Sequence, residues 1–172
     1  MLKHIVSLTT VILLSYVIIS CSSPTDIGKP DSFVTSSIEE DYSSINNPLE
    51  RWKAYNLVDY SIDAGWGVES YIPNIYTTYV INNKVKEIKY EISKDEYYGR
   101  TKEEIDNFIK LHAKTIDEVF FIIELNKNKA QRINVEYDAR FGYPIKVYID
   151  IDTLVADDEF LKSFSNLKRV IK

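Results

Sequence analysis

The chain offers few groups for covalent chemistry. Its 172 residues include one cysteine, two histidines, one methionine, five glycines and five prolines. A single cysteine, Cys21, excludes an intrachain disulfide, so the folded part must rest on an ordinary hydrophobic core. Cysteine-containing zinc sites and disulfide exchange are excluded with it. No G-x-S-x-G, H-E-x-x-H or phosphate-cradling glycine loop occurs. Positive charge is also short: 21 basic residues face 26 acidic ones, a formal net charge of −5. Nucleic-acid binding needs a positive surface that displaces counterions from phosphates, so that class is set aside. Peripheral adsorption to anionic headgroups is disfavoured for the same reason. No internal repeat is present.

What is present begins at the N-terminus. Lys3 and His4 precede an apolar run, Ile5 to Ile19, broken only by Ser and Thr, and Ser20-Cys21 follows. That order reads as a bacterial lipoprotein signal over residues 1–20. The small Ser20 permits cleavage, and the Cys21 thiol takes a thioether-linked diacylglycerol. The alternative, a permanent membrane helix, needs roughly 20 apolar residues, and this run is a little short. Each buried methylene contributes about 0.8 kcal/mol, so two or more acyl chains hold a protein firmly to a membrane. Ser22 stands where an aspartate would favour inner-membrane retention, which points outward in a two-membrane cell.

Residues 21–46 are rich in Ser, Thr, Asp, Asn and Pro, with Phe33, Val34 and Ile38 scattered among them. No helical or alternating period holds there, and the stretch reads as a flexible tether. Residues 47–172 then form one domain. Asn47-Pro48-Leu49-Glu50 starts a short helix, with Leu49, Trp52 and Tyr55 facing the core. Val58, Tyr60, Ile62 and Ala64 alternate with polar residues as a strand. Ile75–Ile81 and Val85–Ile92 flank Asn82-Asn83-Lys84, a hairpin connection. Thr101-Lys102-Glu103-Glu104 and Thr115-Ile116-Asp117-Glu118 are both capping boxes, and each opens a helix. Ile133, Val135 and Tyr137 form a strand, then Ile145, Val147 and Ile149 another. Phe160 to about Leu167 fits either period and is read as a strand that closes a meander. The sum is a single α+β domain, an antiparallel sheet of about five to six strands with helices on one face.

The ordered combination Thr115-Ile-Asp-Glu-Val-Phe120, Val135-x-Tyr137-Asp138, Gly142-Tyr143-Pro144, Asp150 and Asp157-Asp158-Glu159 resembles an uncharacterised family of bacterial secreted proteins and lipoproteins. Trp52 and Tyr60 match its early helix and first strand, and the resemblance runs from about Pro48 to Leu167. It implies a fold and an envelope location but no activity. Relatives of this pattern carry a cysteine pair near the first hairpin, and Gly65 to Pro73 has none.

Four sets of residues bear on function. Gly65-Trp66-Gly67-Val68-Glu69-Ser70-Tyr71 places aromatics between glycines, the chemistry of an interface hot spot, against the alternative that Trp66 fills the core edge. Asp138 and Tyr143 either form a turn or offer a recognition edge. Asp150, Asp152, Asp157, Asp158 and Glu159 are the densest acidic group; they could supply oxygens to calcium, although the spacing is not that of an EF-hand. His112, which lies between the capped helices, reads as a helix-terminal residue rather than a general base. A carboxylate pair such as Asp138 and Asp150 would be needed for a weak hydrolase. The resulting expectation is a non-enzymatic, lipid-anchored envelope protein that binds a protein or envelope polymer, without cofactor. A calcium-dependent domain and a weak carboxylate hydrolase are the alternatives.

Overall fold

A computed structural model describes residues 33–66, 75–91, 99–155 and 159–171. Residues 1–20, read above as a signal, lie outside the described residues, as do Cys21, Tyr71, Asp157 and Asp158. Among the described residues ten elements follow in order: β1 (Val34–Ser36), α1 (Pro48–Tyr55), β2 (Tyr60–Gly65), β3 (Ile75–Ile81), β4 (Lys84–Lys89), α2 (Lys102–His112), α3 (Ile116–Asn126), β5 (Arg132–Tyr137), β6 (Pro144–Asp150) and β7 (Phe160–Ile171). This is the α+β architecture that the patterning predicts.

The helix starts are local chemistry. Asn47 accepts from the Glu50 N–H at 3.0 Å, with Pro48 in the first turn. Both capping boxes form: Thr101 with Glu104, and Thr115 with Glu118. Asn82 and Asn83 take positive φ angles of 50° and 56° in the β3–β4 turn, the conformation a tight two-residue hairpin needs.

The strands form one antiparallel sheet in the order β4-β3-β2-β7-β6-β5. The last element is indeed a strand, and it extends beyond Leu167 to Ile171. It joins the β5–β6–β7 meander to the β2–β3–β4 meander. A seventh strand, β1, pairs with the end of β7 through Val34–Ile171 and Ser36–Arg169.

That strand corrects the tether boundary, because the compact unit begins at Phe33 rather than at Asn47. Ile38 is 3% exposed. The Arg140 guanidinium donates to the carbonyls of Ile38 and Glu40 at 2.7 and 3.1 Å, and Arg51 Nε donates to the Ile45 carbonyl at 2.7 Å. The segment is held by single anchors and by arginines outside it, Arg140 about a hundred residues away, which leave no periodic trace.

Directly opposed residues share a face of a sheet. The pairs Tyr60–Val80, Ile62–Thr78, Ala64–Tyr76 and Ala64–Phe164 therefore define the core face. The helices cover it. Trp52 of α1 meets Tyr60 edge-on at 5.5 Å, and the Ile116 N–H at the start of α3 donates to the buried Tyr60 hydroxyl at 2.8 Å. Burial pushes that phenol's pKa up. Phe108 of α2 packs on Trp66 at 5.1 Å. Among the described residues no helix is long and apolar enough to cross a membrane.

Candidate functional site

The Asp138–Tyr143 region is a turn. The Asp138 carboxylate accepts from the Arg140 and Phe141 N–H groups at 2.9 and 2.6 Å, and its own N–H donates to the Tyr143 carbonyl at 2.8 Å. Gly142 has φ +80°, and a Cβ there would collide with the Pro48 carbonyl oxygen at the start of α1. Tyr143 is 4% exposed against Trp52 and Phe141. Tyr143 is therefore no rim residue, which corrects that reading, while Asp138 is half-buried with its carboxylate engaged in the turn.

The carboxylates do not converge. Asp138 follows the end of β5, where Tyr137 pairs with Pro144, whereas Asp150 pairs with Arg132 at the far end of β6. At about 3.3 Å per residue the strand separates them by roughly 20 Å. Two carboxyls acting on one glycosidic bond sit roughly 5–9.5 Å apart, so Asp138 and Asp150 cannot be such a pair. Asp150 is 5% exposed; one oxygen accepts from the Tyr148 hydroxyl at 3.1 Å and the other is buried without a partner. Asp152 accepts from Gln131 Nε2 and the Leu154 N–H at 3.1 and 3.0 Å, and Glu159 is exposed. Among the described residues no group of three or more His, Cys, Asp or Glu is placed to hold a metal ion.

Trp66 turns inward. It continues β2 past the Gly65–Ser163 pair, which brings it opposite Lys162 on the core face. Tyr76, Phe108 and His112 surround its ring at 6.3, 5.1 and 5.1 Å. His112 ends α2, with Nδ1 2.8 Å from the Phe108 carbonyl oxygen and its ring stacked on Phe108.

The residue that patterning missed is Lys162. It is 2% exposed and stands between Phe160 and Phe164 on the apolar face. Its Nζ lies 2.9 Å from the centre of the Trp66 ring and 3.4 Å from the Tyr76 hydroxyl oxygen, long for a hydrogen bond. No carboxylate faces it among the described residues. Burial, reinforced by the charge of Lys114, lowers its pKa to about 7. A desolvated cation on a tryptophan face gains about 2 kcal/mol, which only partly offsets removal from water. The available signal was parity: in Phe160-Leu-Lys-Ser-Phe164 a lysine falls in register with two phenylalanines.

A second feature lies at the other side of α2. β4 ends the strand order, and among the described residues nothing pairs with its outer edge. Two cavities of about 840 and 490 Å³ lie between β4 and α2. They share Ile88, Tyr90 and Asp106, so they form one trough with those residues as its sill. The Tyr90 hydroxyl donates to Asp106, and Lys102 Nζ reaches both oxygens of that carboxylate at 2.8 and 3.1 Å. Lys102 and then Tyr90 hold the Asp106 carboxyl below its usual range, while burial and Asp106 push the Tyr90 phenol up to about 12. Lys86, Lys89, Lys102 and Lys110 line the trough, against Asp63, Glu87, Glu91 and Asp106. Asp63 is already engaged by Thr77 and Asn166, each at 2.6 Å.

Fold and site together define an α+β domain with a helix-covered antiparallel sheet, whose β4 edge, open among the described residues, lies above a trough. Residues 44–169 match a family of unknown function, DUF6174, and the chain belongs to it. That span is close to the one over which the sequence pattern runs. No curated protein and no solved structure matches the chain.

Proposed function

We propose that this is a lipid-anchored cell-envelope protein whose domain binds another protein without catalysis, taking an extended acidic segment alongside β4. The observation that carries the reading is the trough between helix α2 and the edge of β4, which is unpaired among the described residues. An exposed strand edge supplies main-chain donors and acceptors in register with an incoming strand, and pockets beneath it select alternate side chains. Lys89 is paired with Glu87 and Lys102 with Asp106, so Lys86 and Lys110, which make no ion pair among the described residues, are the charges that favour an acidic segment, adding on-rate and choice of partner more than raw affinity. Lysines on an edge also discourage indiscriminate strand pairing, so a partner must supply matching charge to dock. The anchor at Cys21 would place this surface at the membrane, the outer one where there are two.

The test is affinity capture from solubilised envelope with the full chain in detergent, comparing wild type, Lys86→Glu with Lys110→Glu, and Trp66→Ala with Tyr71→Ala. A partner lost at least tenfold with the charge reversals and kept with the aromatic pair supports the trough. A partner kept by the reversals and lost with the aromatic pair transfers the surface to the segment after β2. Capture that requires calcium would revive the acidic group ending at Glu159.

A further inference from the structure

Lys162 takes no part in strand addition, yet a buried amine without a counter-ion disfavours folding and is not neutral packing. Among the described residues the groups that face it are few, and none is a carboxylate. Trp66, at the end of β2, lays its ring face on the amine, and Tyr76 of β3 presents its hydroxyl at 3.4 Å. Lys114, between α2 and α3, adds like charge, and His112 of α2 packs edge-on against Trp66. Tyr76 is also a wall of the trough. One side chain therefore touches both the lysine and the surface proposed for binding.

We infer that Lys162 is a proton-operated latch: protonation of its amine opens the Trp66–Tyr76 corner and thereby weakens occupancy of the trough. The first half of this stands on the corner alone, and the second half rests on the trough reading. In the closed corner the amine titrates near 7, while in water a lysine titrates near ~10.4. The closed form prefers the neutral amine and the opened form prefers the ammonium. Opening therefore becomes easier as pH falls from about 10 to about 7, by on the order of fifty-fold between pH 9 and 7. Below about 7 the closed form binds the proton as well, and the dependence levels off. Two features make the opening reversible: the Trp66 face tolerates the ammonium, and the lysine stem can swing its head to solvent while the methylenes stay packed.

The experiment follows corner opening in the full chain in detergent, between pH 6 and 10, by acrylamide quenching of tryptophan fluorescence and by hydrogen exchange of the β3 peptide. The expected result is opening that rises by tens of fold from pH 9 to 7 in wild type, flattens below 7, and disappears in Lys162→Met. It should persist in His112→Gln. A profile unchanged by Lys162→Met, or removed by His112→Gln, overturns the latch. Mass-spectrometric mapping of acetic anhydride labelling gives an independent check, since a reactivity midpoint near 7 at Lys162 supports the latch and one near 10 refutes it. A fluorescent peptide with alternating glutamates then probes the trough. Binding at least threefold weaker at pH 7 than at pH 9, and pH-independent in Lys162→Met, supports the coupling. Binding indifferent to pH while the corner opens refutes it. No binding at either pH, with opening intact, refutes the trough and leaves the latch standing.

Discussion

Trp52 and Trp66 lie on the helix side of the sheet, one near each end of β2. Around Trp52 the polar groups are matched. Its indole N–H donates to Asp117 at 2.7 Å, the second Asp117 oxygen accepts from Asn83 at 2.6 Å, and the neighbouring Tyr60 hydroxyl accepts from the Ile116 N–H. One carboxylate thus ties α1, α3 and the β3–β4 turn together. Around Trp66 the matching fails. Among the described residues its indole N–H is buried without a partner, as is the Thr78 hydroxyl two residues from Tyr76, and the amine on its ring face meets no carboxylate. Two corners of the same core face therefore differ in kind. One is built to hold the fold, while the other keeps polar groups at a cost in stability, the pattern expected where a site does something beyond folding.

The comparison can be broken most directly at the rings. Trp52→Ala should lower stability by about 3–5 kcal/mol, and Trp66→Ala by less than half of that, because its removal also lets water reach Lys162. Equal losses in urea denaturation would erase the distinction. Lys162→Met should raise stability by about 2–4 kcal/mol at pH 7, with the gain shrinking toward pH 10. The sign follows from the lowered pKa of the buried amine: wild type loses stability as pH falls from about 10 to about 7 and is flat below, whereas the variant has no such slope. Denaturation midpoints at pH 7, 8, 9 and 10 would reveal an absent slope.

At the Trp52 end, Gly142→Ala should cost about 2–3 kcal/mol, since it puts a Cβ at positive φ against the Pro48 carbonyl. A shift below about 0.5 kcal/mol would show that α1 can move away. Asp117→Asn should cost about 1–2 kcal/mol through weaker hydrogen bonds to Trp52 and Asn83. The smallest expected effect is that of calcium: adding it or a chelator should move Tm by no more than about 1 °C, because a cation that binds the folded state stabilises it by mass action. A larger shift would give the acidic residues after β6 a role.

The comparison also shows which residues were legible beforehand. The Trp52 end is made of signals that act over a few residues: the Asn47 cap, the Thr115 capping box, the Asn82-Asn83 turn and the alternation that begins at Tyr60. Asp138 with Gly142 reads as a turn from its residue types and forms one. β1 was hidden because Val34–Ser36 is fixed by backbone pairing to β7, while Arg140 holds the residues just after it, of which Ile38 is buried. The Trp66 corner was half visible. A tryptophan between glycines left both exposure and core filling open, and the register of β2 on β7 turned it inward onto a lysine. The Asp138–Asp150 pairing failed because sequence proximity does not reveal that a whole strand stands between the two.

Residue order alone determined the elements, their caps, the hairpin turn and the α+β class, since each depends on interactions spanning a few positions. It also carries the lipoprotein reading of Ser20-Cys21. Only the tertiary structure decided that β7 would join the two meanders, that residues from Phe33 onward would enter the fold, and that Trp66, Tyr76 and Lys162 would meet. The physical reason is that strand register couples residues far apart in the chain: once Gly65 is set opposite Ser163, the next pair places a lysine in an apolar core, and no local preference of either segment encodes that meeting.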